Sequence, residues 1–258
     1  MIVSQLDIGP FTIPVFSAML AGALALGLGS GVYRLRGQTS AGRAIDAYLA
    51  ALIGGLIGAR AGHVLLHWPY FAAHPDEIIR LNAGGLDPHG ALIGGLIGFG
   101  IMVRWRGIPA ADRRRVLDAA APALALIALA GWIGCVAAGC GYGAEVATLA
   151  AVPPPIAAEL PDRFGIGAPR YNTQIFGAGL ALVALGALAL LDRRDPPPGA
   201  RFWLTVALLY AGLFVVGFLR GDSVPLIFGL DAGLRADQAL NLLLMGGSGW
   251  RAVGCWRA

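Results

Sequence analysis

Arg60, His63 and His67 stand at i, i+3 and i+7 in a run otherwise made of Gly, Ala, Val and Leu, so a helix sets all three on one face. A guanidinium there can grip two oxygens of an anion at once, and an imidazole can take or give a proton near neutral pH. Inside an apolar helix the guanidinium costs several kcal/mol unless it is paired or hydrated. Something anionic or wet should therefore meet Arg60. The alternative is an arginine that snorkels to the headgroups beneath two interfacial histidines. His63 and His67, at i and i+4, also match a chelating pair. No carboxylate or cysteine joins them at a recognised ligand spacing, so no metal is expected, and Trp68 and Tyr70 read as interface anchors.

Cys135 and Cys140 flank Gly139. In an unbroken helix their Cα atoms lie too far apart for a disulfide. A break at Gly139 would let them pair in an oxidising exterior, but packing of two small residues is the expected arrangement. Cys255 falls in a tail that the preceding Gly246-Gly247-Ser248-Gly249 is expected to fray, and carries no signal.

The elements that must position these residues are membrane helices. Of 258 residues, 57% are hydrophobic and 13% charged, and the mean hydropathy is +0.70. That leaves too little polar surface to solvate a globular domain of this length. At about twenty residues per crossing, the chain reads as one transmembrane domain, residues 1–258, with about seven helices: 14–33, 46–67, 89–105, 116–138, 172–191, 201–220 and, least clearly, 236–250.

The net charge of +4 does not point to nucleic acid, because the basic residues are all arginine and follow alternate loops. Arg34, Arg36 and Arg43 come after the first span, Arg104, Arg106 and Arg113 to Arg115 after the third, Arg193, Arg194 and Arg201 after the fifth, and Arg251 and Arg257 near the end. The positive-inside rule then places the N-terminus outside and the C-terminus in the cytoplasm. Asp7 is the one charged residue among the first thirteen, so the start does not read as a cleavable signal peptide.

The longest Pro- and Gly-rich loop, 139–171, falls on the outer side, where chemistry is therefore expected. No charged path continues inward from Arg60, which argues against transport. The string ALIGGLIG occurs at 51–58 and again at 91–98. Each copy sits in a small-residue stripe, Gly54, Gly58, Gly62 and Gly90, Gly94, Gly98, suited to close helix contact. Similar packing demands explain both copies without internal duplication.

Three stretches carry a family likeness: Ile8-Gly9-Pro10; the segment GARAGHVLLHWPYFAAHPDEIIRLNAGGLDPHGALIGG from Gly58 to Gly95; and Gly131-Trp132-Ile133-Gly134 through Gly139 to Tyr142-Gly143. With weaker continuations at Arg170 to Phe176 and Phe218 to Asp222, they resemble the prolipoprotein diacylglyceryl transferases. The resemblance implies a seven-helix, N-out protein of a bacterial cytoplasmic membrane. It implies transfer of a diacylglyceryl group from phosphatidylglycerol to the cysteine thiol of lipobox-containing precursor proteins, with no cofactor. That reaction needs a base for the thiol and positive charge for the departing phosphate. By the same resemblance His89 is the base or headgroup clamp and Arg60 a catalytic cation, while Gly90, Gly134, Gly139, Gly143, Gln174, Arg220 and Asp222 contact lipid or substrate.

Other positions of the family pattern are substituted. Its fourth-span Arg, Asn and Glu fall on Trp132, Cys135 and Cys140, its fifth-span His and Glu on Tyr171 and Gly177, its sixth-span Arg and Glu near Leu213 and on Gly217, and its first-span Tyr on Phe16. Three expectations follow: a divergent transferase; a membrane lipid or lipopeptide binder that kept the fold and lost the chemistry; or an enzyme of altered chemistry in which Cys135 and Cys140 replace the lost Asn and Glu as redox or acyl-carrying groups.

Overall fold

The computed structural model describes residues 4–37, 41–81, 84–162, 164–222 and 234–257; Asn82 and Ala83 of the family-like segment lie outside them. Helices dominate. They are α1 (Val15–Arg34), α2 (Ala41–Leu66), the short α3 (Trp68–Ala73), α4 (Pro88–Trp105), α5 (Ala110–Ala138), α6 (Thr173–Asp192), α7 (Ala200–Gly217) and α8 (Ala236–Arg257). Among the described residues, α1, α2, α5, α6 and α7 are long and apolar enough to cross a membrane. The protein is thus an all-α membrane protein with several crossings.

Helix α4 is shortened in apolar content by Pro88, His89 and Arg104 at its ends, and α8 by Asp237, Gln238 and Asn241. Both pack among the crossing helices. The predicted fraying of α8 does not occur: the helix runs through Gly246–Gly249 to Arg257, with Ser248 and Cys255 buried. Tertiary contact overrides the local cost of glycine. Helix α5 likewise starts at Ala110 instead of 116, since the polar segment Asp112–Arg115 extends the helix beyond its apolar part.

The two glycine stripes meet each other. A Cβ added at Gly58 would lie 2.2 Å from the Gly90 carbonyl oxygen, and one at Gly90 would lie 2.1 Å from that of Gly58. Gly54 and Gly94 are opposed in the same reciprocal way. Helices α2 and α4 therefore run antiparallel with backbones touching, a contact that no larger residue permits. Helix α1 lies on α5 through Gly27 against Ala123.

The bundle has two unlike ends. At one, Arg34 pairs with Asp192 at 2.8 Å and Arg106 with Asp46 at 2.7 Å. There Asp118 of α5 accepts from the amides of Gly199 (2.6 Å) and Phe202 (2.9 Å), capping α7 across the helix interface. The other end carries two antiparallel hairpins that the helix count did not foresee. One joins β1 (Gln5–Ile8) to β2 (Phe11–Pro14), and the other joins β3 (Ala157–Pro161) to β4 (Gly167–Tyr171), inside the loop read as irregular.

Candidate functional site

One cluster of deeply buried polar groups at the hairpin end gathers around the start of α4. Asp87 caps that helix, accepting from the Gly90 amide at 2.7 Å, and its own amide donates to the Ala59 carbonyl at 2.9 Å. Its second carboxylate oxygen lies 2.8 Å from His89 Nδ1. On the far side of the ring, His89 Nε2 lies 2.9 Å from Asn241 Oδ1 of α8. Tyr210 of α7 packs on the ring at 5.5 Å and donates its hydroxyl to the Pro88 carbonyl at 2.7 Å. Asp87, His89 and Asn241 are all buried.

This order has chemical meaning. The carboxylate accepts Nδ1–H and fixes the ring's orientation. At Nε2 the Asn241 amide can present its oxygen to an imidazolium or, turned over, its NH2 group to a neutral ring. One set of heavy-atom positions thus serves both protonation states.

Arg60 is also buried, and among the described residues no acidic side chain pairs with it. Its Nε donates to Ile78 O at 2.8 Å, Nη2 to Glu77 O at 2.6 Å, and Nη1 to Gly84 O at 2.5 Å and Gly85 O at 3.1 Å. Its charge is also shared with the Phe71 ring, 5.2 Å from the guanidinium carbon. Four main-chain carbonyls thus surround the guanidinium, because the segment after α2 doubles back over the arginine and turns carbonyls of its irregular stretches inward. Since Gly85 stands two residues before Asp87, Arg60 and His89 are joined through one short stretch of backbone. His63 and His67 do share a face, their rings 4.4 Å apart, and His63 lies against Gly85 beside Arg60.

Arg220 and Asp222 form the second cluster, with two partners that the sequence reading missed. Arg220 donates through Nε to Asp222 at 2.8 Å and through Nη2 to its other oxygen, and Nη1 reaches Asp237 at 3.5 Å. Arg235 donates to Asp237 at 3.0 Å and to the Asp222 carbonyl at 3.0 Å. Two guanidiniums and two carboxylates therefore close a ring linking the end of α7 to the start of α8. Burial pushes the Asp222 carboxyl up, yet Arg220 and Arg235 outweigh it and hold the group below the ordinary carboxylate range. Short bridges tie Gly143 to Arg220 and Glu145 to Arg170, making residues 143–145 a strap between this cluster and β4. Arg170 is buried beneath it, 2.9 Å from Glu145 and 3.6 Å from Asp162.

The glycines and Gln174 are placed by packing. Gly139 ends α5 with φ 64, and Cys140 N donates to the Cys135 carbonyl across it. That break brings the Cys135 and Cys140 Cα atoms to 4.7 Å, and they form a disulfide. The expected packing of free cysteines is therefore corrected, and in this bonded state neither sulfur is a thiolate able to carry an acyl group. Gln174 is buried and donates to the Cys140 carbonyl at 3.2 Å, while Thr173 donates to Gly141 O at 2.6 Å. A Cβ at Gly143 would meet Tyr171 O at 2.1 Å.

Gly134 makes room for Phe16, Gly177 for the Trp132 indole and Gly217 for the Gln238 side chain: an added Cβ would lie 2.8, 2.0 and 2.8 Å from them. Large uncharged groups thus occupy the positions where the resemblance expects charged or hydroxyl side chains.

Fold and site together define a polytopic membrane protein with a buried carboxylate–imidazole–amide relay at one end. The family model described as prolipoprotein diacylglyceryl transferase matches residues 4–251. A phosphatidylglycerol–prolipoprotein diacylglyceryl transferase of Symbiobacterium thermophilum is 31% identical over 233 residues, covering 87% of this chain and 82% of the relative. One from Thermus thermophilus is 30% identical over 224 residues, covering 77% and 76%. The chain belongs to the prolipoprotein diacylglyceryl transferase family.

Of the missed residues, Asp87 stands two places before His89 in the most family-like segment, and Asn241 interrupts the apolar run from Ala239 to Met245. A polar residue that lipid should exclude was the available signal for Asn241.

Proposed function

We propose that this protein transfers a diacylglyceryl group from phosphatidylglycerol to the lipobox cysteine of prolipoproteins, at the outer face of a bacterial cytoplasmic membrane, as a single domain of seven spans with its N-terminus outside. The observation that carries this reading is the Asp87–His89–Asn241 relay. His89 takes the thiol proton at Nε2, with Asp87 holding Nδ1–H and balancing the imidazolium. The thiolate sulfur attacks the glycerol carbon, the C–O bond to phosphate breaks, and glycerol phosphate leaves with its electron pair. Arg60 and Arg220 supply positive potential to that phosphate from within their own networks. Gly90, Gly134, Gly139, Gly143, Gln174 and Asp222 shape the lipid-facing wall. The test is complementation of a strain depleted of its own transferase, with mass spectrometry of a lipobox peptide. A diacylglyceryl adduct with wild type and none with His89→Ala supports the assignment; no adduct with wild type overturns it.

A specific observation favours a second reading, in which the fold binds phosphatidylglycerol or lipopeptide without transfer. Trp132 over Gly177 and Phe16 over Gly134 fill space with rings, and the Cys135–Cys140 disulfide stands where the family pattern has Asn and Glu. Retention of phosphatidylglycerol by the purified protein, combined with no adduct, selects this reading.

A further inference from the structure

At the arginine-rich end, remote in the fold from His89, α5, α7 and α8 enclose a cleft of about 190 Å3 lined by Arg114, Trp203, Trp250, Arg251, Gly254 and Cys255. Gly199 lies behind two of these residues. With φ 97 and no side chain, it lets the Arg114 stem and the Cys255 sulfur come together, where an added Cβ would lie 3.6 and 3.1 Å from them. The Arg251 guanidinium sits 5.5 Å from the centre of the Trp203 ring. Among the described residues neither Arg114 nor Arg251 pairs with a carboxylate, whereas Arg34, Arg106 and Arg201 at the same end all do.

Two cations without counter-ions converge here on a partly apolar cleft. Its rim is indole: Trp250 is 76% exposed, and Val253 and Trp256 continue the apolar surface along α8. Such a surface faces lipid, with indoles at headgroup depth. A soluble anion would satisfy the arginines and leave the rim unused. A phosphodiester with acyl chains attached uses both.

We propose that this cleft is an anionic phospholipid site in the leaflet at the arginine-rich end, with the phosphodiester held between Arg114 and Arg251 and the chains laid over Trp250 and Val253. Guanidiniums suit the phosphate because each presents a fork of donors, and basic pockets between membrane helices are a recurring means of headgroup capture. The site shares no residue with the proposed transferase centre.

The test is native mass spectrometry of delipidated protein in detergent, titrated in turn with phosphatidylglycerol and phosphatidylethanolamine. Wild type is expected to hold one more phosphatidylglycerol than Arg114→Gln/Arg251→Gln, with at least tenfold tighter binding at that site, and Arg251→Gln alone is expected to fall between them. The Arg34→Gln/Arg106→Gln control should match wild type, and phosphatidylethanolamine should not distinguish the proteins. Equal phosphatidylglycerol retention by wild type and the double variant overturns the site. So does an equal loss in the Arg34/Arg106 control, or displacement of the lipid by an equal concentration of inorganic phosphate. Because Arg114 and Arg251 lie outside the transferase centre, adduct formation in the complementation strain reports on that centre independently.

Discussion

Arginine does different work at the two ends of this bundle. At the end where Arg34, Arg106 and Arg201 lie, the pairs with carboxylates run from half-buried to open: the side chains of Arg201 and Asp192 are 20% and 29% exposed, those of Arg106 and Asp46 49% and 37%. Such pairs mark topology and add little stability. At the hairpin end, Arg60 and Arg170 are 7% and 5% exposed, and Arg220 and Arg235 close a ring with two aspartates. There a guanidinium organises backbone that would otherwise bury unpaired carbonyls. The same residue type is a signpost at one end and internal scaffolding at the other, and the deep burial of Arg60 and Arg170 marks the difference.

The sharpest way to probe the hairpin end is through the group its scaffolding supports. His89→Gln keeps polar volume but removes the proton acceptor, and is expected to lower adduct formation on the order of 10²–10⁴-fold. Asp87→Asn should lower it by less while leaving the α4 cap largely intact. Quantitative mass spectrometry of the lipobox peptide measures both. Equal rates for His89→Gln and wild type would remove the relay from the chemistry.

Arg60→Gln comes next. The Glu77 carbonyl keeps the Arg80 amide as donor, but those of Ile78, Gly84 and Gly85 lose the guanidinium, and each orphaned group that water does not reach costs about 1–3 kcal/mol. A loss of about 3 kcal/mol is expected, read as a lower midpoint of thermal unfolding in detergent and faster proteolysis near residues 77–85. A cost under about 1 kcal/mol would put Arg60 in the same class as the exposed pairs of the opposite end.

How much of this was legible beforehand follows from the range of each interaction. The helices could be placed because apolar length is a local property, and the glycine stripes of α2 and α4 could be paired because their spacing is periodic. His89 and Arg60 stood out because lipid should exclude them. Their partners did not: Asn241 meets His89 only because α8 packs beside α4, a contact between residues far apart in the chain. The Cys135–Cys140 disulfide depends on one backbone conformation at Gly139, which spacing alone leaves open. The straight run of α8 through Gly246–Gly249 was hidden for the opposite reason, since neighbouring helices supplied what local propensity lacked.

The Arg220–Asp222–Arg235–Asp237 ring gives a pH-dependent form of the same contrast. The folded Asp222 carboxyl lies below its unfolded value of about 3.9. Its contribution is therefore complete above that pH and is lost as the pH falls through the lower folded value. Asp222→Asn should cost about 1.5 kcal/mol near neutrality, and the gap between wild type and variant should narrow only below about pH 4. A gap unchanged at pH 3 would mean that the carboxylate charge is not what closes the ring.

The smallest effect is expected at the opposite end. Arg106→Gln removes the 2.7 Å pair with Asp46, but both groups are partly exposed, so water replaces much of what is lost and about 0.2–1 kcal/mol is at stake. Raising the salt concentration should shrink even that difference, because exposed charges are screened over about 10 Å at 0.1 M. Arg60→Gln, measured in the same salt series, should show a nearly constant loss, since carbonyls packed against a buried guanidinium are beyond the reach of mobile ions. Parallel salt responses in the two variants would show that the ends differ in amount alone, and that burial does not set the role of arginine here.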